Sequence, residues 1–222
     1  MKKMMISGRC CALYEYGSGG PVILWGASAP EEMQSAADLA SGMTEGRAFT
    51  LLAYPVDSWN DGFSPWPAPP VFGNDAFGGR GSDTLAWLTE CCLPSLPDGP
   101  RFIGGYSLAG LFSLWALYES DVFSGACSCS GSLWYPGWTD YARTHCPPQE
   151  SLIYVSLGER EEKTRNRAMA SVGDCTRAQY ALLQSDPAVR ASVLVWHPGG
   201  HFTDPDRRMA EGIAWLVRNC NL

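Results

Sequence analysis

A chain of 222 residues, 45% hydrophobic and 18% charged, has enough apolar side chains for one substantial core and too little length for two comfortable domains, which excludes a disordered polymer. Its formal net charge of -7 argues against nucleic acid and anionic membranes as partners, because both require clustered Lys and Arg. Nine tryptophans point to broad apolar surfaces around a core or a pocket.

The N-terminus carries Lys2 and Lys3 but no apolar segment of the length a signal peptide needs, and no later stretch is long enough to span a membrane. Nine cysteines, including the adjacent pairs Cys10-Cys11 and Cys91-Cys92, show no paired metal-ligand spacing. Reduced, mostly buried thiols and a cytoplasmic location are therefore expected.

Within residues 1–20, the stretch from Met5 to Tyr14 suits an antiparallel edge strand. Val22 to Trp25 reads as a strand, Pro30 to Met43 as a helix with proline in its first turn, and Ala48 to Tyr54 as a second strand. The segment from Pro55 to Arg80 is long, rich in Pro, Gly, Trp and Phe, and breaks the alternation; loops of this length either serve a site or pack their own aromatics. A helix follows from Ser82 to Cys92 with Ser82 as its cap, then strand Arg101 to Gly104, helix Leu108 to Glu119 and strand Gly125 to Ser130. His145 lies beyond a surface helix. Strand Leu152 to Leu157, a charged segment Glu159 to Gly173 that suits a loop or a short solvated helix, helix Asp174 to Gln184, strand Ser192 to Trp196 and helix Pro205 to Asn219 complete the chain. Most strands are continuously apolar, as strands covered on both faces are, so the alternation predicts an α/β fold with a mainly parallel, doubly wound sheet and helices on both faces, in one domain over 1–222.

In such a sheet, sites form beyond the carboxyl ends of the strands. Ser107 follows one strand, Gly158 to Glu162 follows the next but one, and His201 follows the last after Pro198-Gly-Gly200. Ser107 stands at a strand-to-helix turn flanked by small residues, Gly105 two before and Ala109 two after. A serine on a sharp nucleophile elbow needs small flanks to avoid collision, although the usual signature has glycine where Ala109 stands. The chain order serine, acid, histidine is the one expected of an α/β-hydrolase triad. A serine hydroxyl becomes a competent nucleophile when an imidazole takes its proton and a carboxylate fixes the imidazole tautomer. His201 is the candidate base, with His197 as fallback; Pro198, Gly199 and Gly200 between them forbid the helix that a zinc pair at this spacing would need. Glu161 is selected as the acid by its distance from Gly158, with Glu159 and Glu162 open. The amide of Leu108 is one oxyanion donor, and the second comes from Gly26, Ala27 or Ser28, with Ala27 taken first. Tyr106, Trp134 and Trp66 are candidate substrate-binding side chains, and Tyr135 a further pocket candidate. Three histidines with scattered carboxylates give no recognisable metal-ligand set.

Gly104-Gly-Tyr-Ser-Leu-Ala-Gly-Leu-Phe-Ser-Leu-Trp-Ala-Leu-Tyr118, Ser130-Gly-Ser-Leu-Trp134, Leu157-Gly-Glu-Arg-Glu161 and Gly199-Gly-His-Phe202 together resemble the esterase D and enterochelin-esterase branch of the α/β-hydrolases. The resemblance implies Ser107 as nucleophile, His201 as base and Glu161 as acid in a serine hydrolase acting on a small-molecule carboxylic ester, without metal or organic cofactor. Trp25-Gly-Ala27 departs from the usual His-Gly opening of the oxyanion loop. An acyltransferase of the same fold and a non-catalytic binding protein of the same fold are the alternatives.

Overall fold

Each long apolar run of the chain becomes a strand whose successive side chains enter different cores, which is why the runs are continuous and do not alternate with polar residues. Along the third strand Val22 and Leu24 join one core, while Ile23 and Trp25 join the other. The same division holds for Ile103 against Phe102, and for Ile153 and Val155 against Leu152 and Tyr154.

The structure, a computed structural model, describes residues 1–71 and 73–220. In chain order its elements are β1 (Lys2–Ile6), β2 (Arg9–Tyr16), β3 (Val22–Gly26), α1 (Gln34–Met43), β4 (Phe49–Tyr54), α2 (Trp59–Gly62), β5 (Pro67–Ala68), β6 (Phe77–Gly78), α3 (Gly81–Trp87), β7 (Arg101–Tyr106), α4 (Leu108–Glu119), β8 (Gly125–Cys129), α5 (Trp138–Thr144), β9 (Ser151–Gly158), α6 (Arg167–Ala170), α7 (Val172–Ser185), β10 (Val189–His197) and α8 (Pro205–Asn219). The main sheet runs β1-β2-β4-β3-β7-β8-β9-β10. Only the pairs β1–β2 and β2–β4 are antiparallel; all others in this sheet are parallel. Helices α1 and α8 cover one face, and α4, α5 and α7 pack over the other. This is the mainly parallel α/β sheet expected from the sequence.

Helix α4 is buried all round, from Leu108 to Tyr118; its Ser113 hydroxyl donates to the Ala109 carbonyl at 2.7 Å, and its Tyr118 hydroxyl accepts from Gln179 Nε2 at 2.8 Å. A helix apolar on every side belongs at the centre of a domain. Its placement fixes where β7 must end and therefore where Ser107 stands.

Several local expectations are corrected. The single edge strand from Met5 to Tyr14 is a hairpin, because Ser7 and Gly8 turn the chain with φ of 43° and 85°, the left-handed pair that a two-residue hairpin requires. Ser82 is not a cap: α3 begins at Gly81, whose amide donates to the Ser64 carbonyl at 2.9 Å and draws the chain into the helix one residue early. The helix expected from Pro30 begins as a 3-10 turn, Pro30–Met33, before α1. The segment from Pro55 to Arg80, in which residue 72 lies outside the described residues, contains α2 and the small β5–β6 hairpin. Its Phe63 is fully buried against Phe112, and its Phe77 packs on Tyr135. The charged segment after β9 is, as expected, short helical structure: a 3-10 turn, Glu161–Lys163, followed by α6. Among the described residues, no helix is long and apolar enough to cross a membrane.

Candidate active site

Ser107 joins β7 to α4 with φ 60° and ψ -122°, a conformation that costs an L-residue on the order of 1–3 kcal/mol and persists only where the surroundings impose it. Four hydrogen bonds impose it here. The Ser107 amide donates to the Cys129 carbonyl at 3.0 Å, and its own carbonyl accepts from the amides of Gly110 (3.0 Å), Leu111 (3.2 Å) and Ser132 (3.0 Å). The turn is tight enough that a Cβ on Gly105 would lie 2.5 Å from the Ala109 carbonyl carbon and 2.6 Å from its Cβ. Small side chains are thus required at both places, as the sequence suggested.

Glu161 lies just past β9 with its side chain 5% exposed, and its Oε2 is 2.6 Å from His201 Nδ1. A carboxylate only accepts, so Nδ1 carries the proton and a neutral imidazole keeps its lone pair on Nε2. The other oxygen, Oε1, accepts from Gly158 N (2.8 Å), Ser130 Oγ (2.7 Å) and Arg208 Nη1 (2.9 Å). Burial pushes the Glu161 carboxyl up, but the bonds and charge of His201, with those of Ser130 and Gly158, outweigh it and hold the group below the ordinary carboxylate value. Glu159 is exposed, and Glu162 faces Arg177 at 2.7 Å, so of the three candidate acids it is Glu161 that meets His201.

His201 and Ser107 line the same cavity, of about 880 Å³. Ser107 Oγ lies 3.4 Å from Ser132 Oγ, and among the described residues it makes no direct hydrogen bond to His201. Such bonds are commonly long before substrate binds. The fallback His197 is buried, with its Nδ1 3.8 Å from Glu211, and burial lowers its pKa. His145 is on the surface, stacked on Tyr141.

The amide of Leu108 opens α4, where the first N–H groups have no intrahelical partner. Ala27 does not supply the second donor: the hydrogen-bond ladder between β3 and β4 runs one residue past Gly26, and the Ala27 amide is held by the Tyr54 carbonyl at 3.0 Å. Ser28, the next residue, is exposed and lines the cavity. Trp134 and Tyr106 also line it, together with Trp59, Met33, Val172 and Phe202. Trp66 does not; its indole N–H donates to the Pro136 carbonyl at 2.9 Å and its ring packs on Tyr135 and Tyr141. Tyr135 is likewise buried in that aromatic group, away from the cavity. The Tyr106 hydroxyl is engaged with the backbone, donating to the His201 carbonyl at 2.6 Å.

Three neighbours of the site escaped the sequence: Ser130, Ser132 and Arg208. The first two are polar residues in a turn and carry no periodic signal. Arg208 does carry one, because it stands four residues before Gly212 and eight before Leu216, on the stripe of α8 that is otherwise apolar. Among the described residues, no three His, Cys, Asp or Glu side chains converge as a metal site would require.

No family model and no curated protein matches the chain in sequence. Solved structures match it in fold. An IroE-like serine hydrolase from Shewanella oneidensis superposes with a TM-score of 0.79 at 13% identity, over 96% of this chain and 77% of the other. The siderophore hydrolase EstA from Aspergillus nidulans gives 0.76 at 16% identity, over 96% and 91%. The enterobactin esterase FES from Shigella flexneri gives 0.67 at 14% identity, over 97% of this chain and 58% of that longer one. The chain has the α/β-hydrolase fold of these esterases.

Proposed function

We propose that this protein is a serine hydrolase that cleaves a small-molecule carboxylic ester through an acyl-enzyme, with Ser107, on a nucleophile elbow, as nucleophile, His201 as general base and Glu161 completing the triad. The observation that carries this reading is the Glu161–His201 contact of 2.6 Å at the wall of the cavity that also holds Ser107 on its strained turn. In the first half-reaction Ser107 Oγ attacks the ester carbonyl while His201 Nε2 takes its proton, then returns it to the departing alcohol. Water, deprotonated by the same nitrogen, releases the acid and restores the serine. The amides of Leu108 and Ser28 are the pair we assign to the developing oxyanion.

The names of two neighbours, a siderophore hydrolase and an enterobactin esterase, suggest siderophore-type triesters as the first substrates to try, beside aromatic esters and simple acyl esters of graded length. A cytoplasmic location belongs to the same reading, supported by nine free thiols of which five are buried. A fluorophosphonate is expected to label Ser107 and to abolish ester turnover, and Ser107→Ala to abolish both while remaining folded. Folded wild-type protein that neither takes the label nor turns over any ester on the panel would sink this assignment.

A further inference from the structure

Arg208 has a side-chain exposure of 1%, a rare position for an arginine. Five hydrogen bonds account for it there. Nη1, with two N–H bonds shared among three acceptors, donates to Glu161 Oε1 (2.9 Å), Ser130 Oγ (3.0 Å) and the Tyr106 hydroxyl (3.2 Å). Nη2 donates to the carbonyls of Gly200 (2.9 Å) and Pro198 (3.1 Å). These acceptors belong to the ends of four consecutive parallel strands: Tyr106 closes β7, Ser130 follows β8, Glu161 follows β9, and Pro198 and Gly200 follow β10. One planar group therefore touches the residue before Ser107, the partner of His201 and the residue before His201.

A buried ion pair of this kind is often no more stabilising than a well-packed apolar replacement, so net stability does not account for the arginine. Its geometry does, because a guanidinium presents its donors as a rigid fork, whereas an ammonium is a point charge that cannot reach two separate sets of acceptors.

We propose that Arg208 is a positioning residue for the hydrolysis, holding Glu161 and the His201 turn in the register that presents the imidazole to Ser107. This rests on the serine-hydrolase reading above. The groups that face His201 are Glu161 from the turn after β9, Tyr106 from β7 and Phe202 beside it. Arg160, Lys163 and Asp206 share its cavity wall, and Asp204 stands between it and α8. His197, Glu211 and Arg207 form a separate group.

The test compares Arg208→Lys and Arg208→Met with wild type in kcat and KM on an activated ester, with folding followed by circular dichroism. In Arg208→Met, kcat is expected to fall on the order of 10²-fold, the usual consequence of a misplacement near 1 Å, with KM changed little. Arg208→Lys, which keeps the charge but not the fork, should not return kcat, and it carries the test alone if the methionine variant does not fold. Wild-type kcat in folded variants would overturn the proposal, as would a rise in KM with kcat unchanged, or activity lost only in step with the folded fraction. If wild type takes the fluorophosphonate and turns over ester while the variants are unaffected, the role of Arg208 alone falls; if wild type does neither, the hydrolase reading falls and the role with it.

Discussion

Ser107 shows how one residue's backbone depends on its neighbours' size. Its φ of 60° is maintained by the four bonds of the turn, and the space for that turn exists only because Gly105 and Ala109 are small. Gly105→Ala would press a methyl against the Ala109 backbone and is expected to cost about 1–3 kcal/mol, seen as a lower denaturant midpoint, with slower phosphonate labelling of Ser107. Glu161 makes a second residue-scale prediction. Its folded pKa lies below the ordinary value of 4.5, so the stability it contributes is complete above that value and is lost as pH falls through the folded one. Glu161→Gln should therefore flatten the acid side of the Tm-against-pH curve; a variant whose curve parallels wild type below pH 5 would contradict the assignment of those bonds. The same substitution should lower kcat, by roughly 10²–10⁴-fold if the carboxylate fixes the His201 tautomer.

Among the elements, α4 and α8 were legible from the sequence to the residue, because each combines a sharp start with a long apolar pattern: the serine turn before Leu108, and Pro205 at the first position of α8. The N-terminal hairpin was not. Hydrophobicity across Met5 to Tyr14 reads as one strand, and the break depends on two left-handed residues whose only sequence signal is the dipeptide Ser7-Gly8. A Cβ on Gly8 would meet nothing within 4 Å, so Gly8→Ala tests backbone strain alone. We expect a loss of about 1–2 kcal/mol in equilibrium unfolding.

At the scale of the whole molecule, the cavity is assembled from segments far apart in the chain: the loop after β3, α2, the turn after β8 with Trp134, the turn after β9 and the His201 loop. The sheet order places β3, β7, β8, β9 and β10 side by side, so the loops at their carboxyl ends converge. Specificity should therefore change at the walls without loss of the chemistry. Trp134→Ala is expected to raise KM for bulky or aromatic acyl groups by roughly 10-fold, about 1.4 kcal/mol, while leaving phosphonate labelling of Ser107 intact. A uniform fall in kcat across all esters would instead place Trp134 outside the acyl pocket.

Local sterics and periodicity were enough to read the α/β alternation, the doubly covered strands and the serine between small flanks, because those properties are written in residues adjacent along the chain. Chain order brought Ser107, the Glu159–Glu162 run and His201 to strand ends for the same reason. The allocation of hydrogen bonds could not be read that way. The Ala27 amide is taken by Tyr54, Trp66 packs away from the cavity, and Arg208 ties four strand ends together. These outcomes rest on partners up to 102 positions away, and which donor wins a given acceptor is settled only when the sheet and helices have packed.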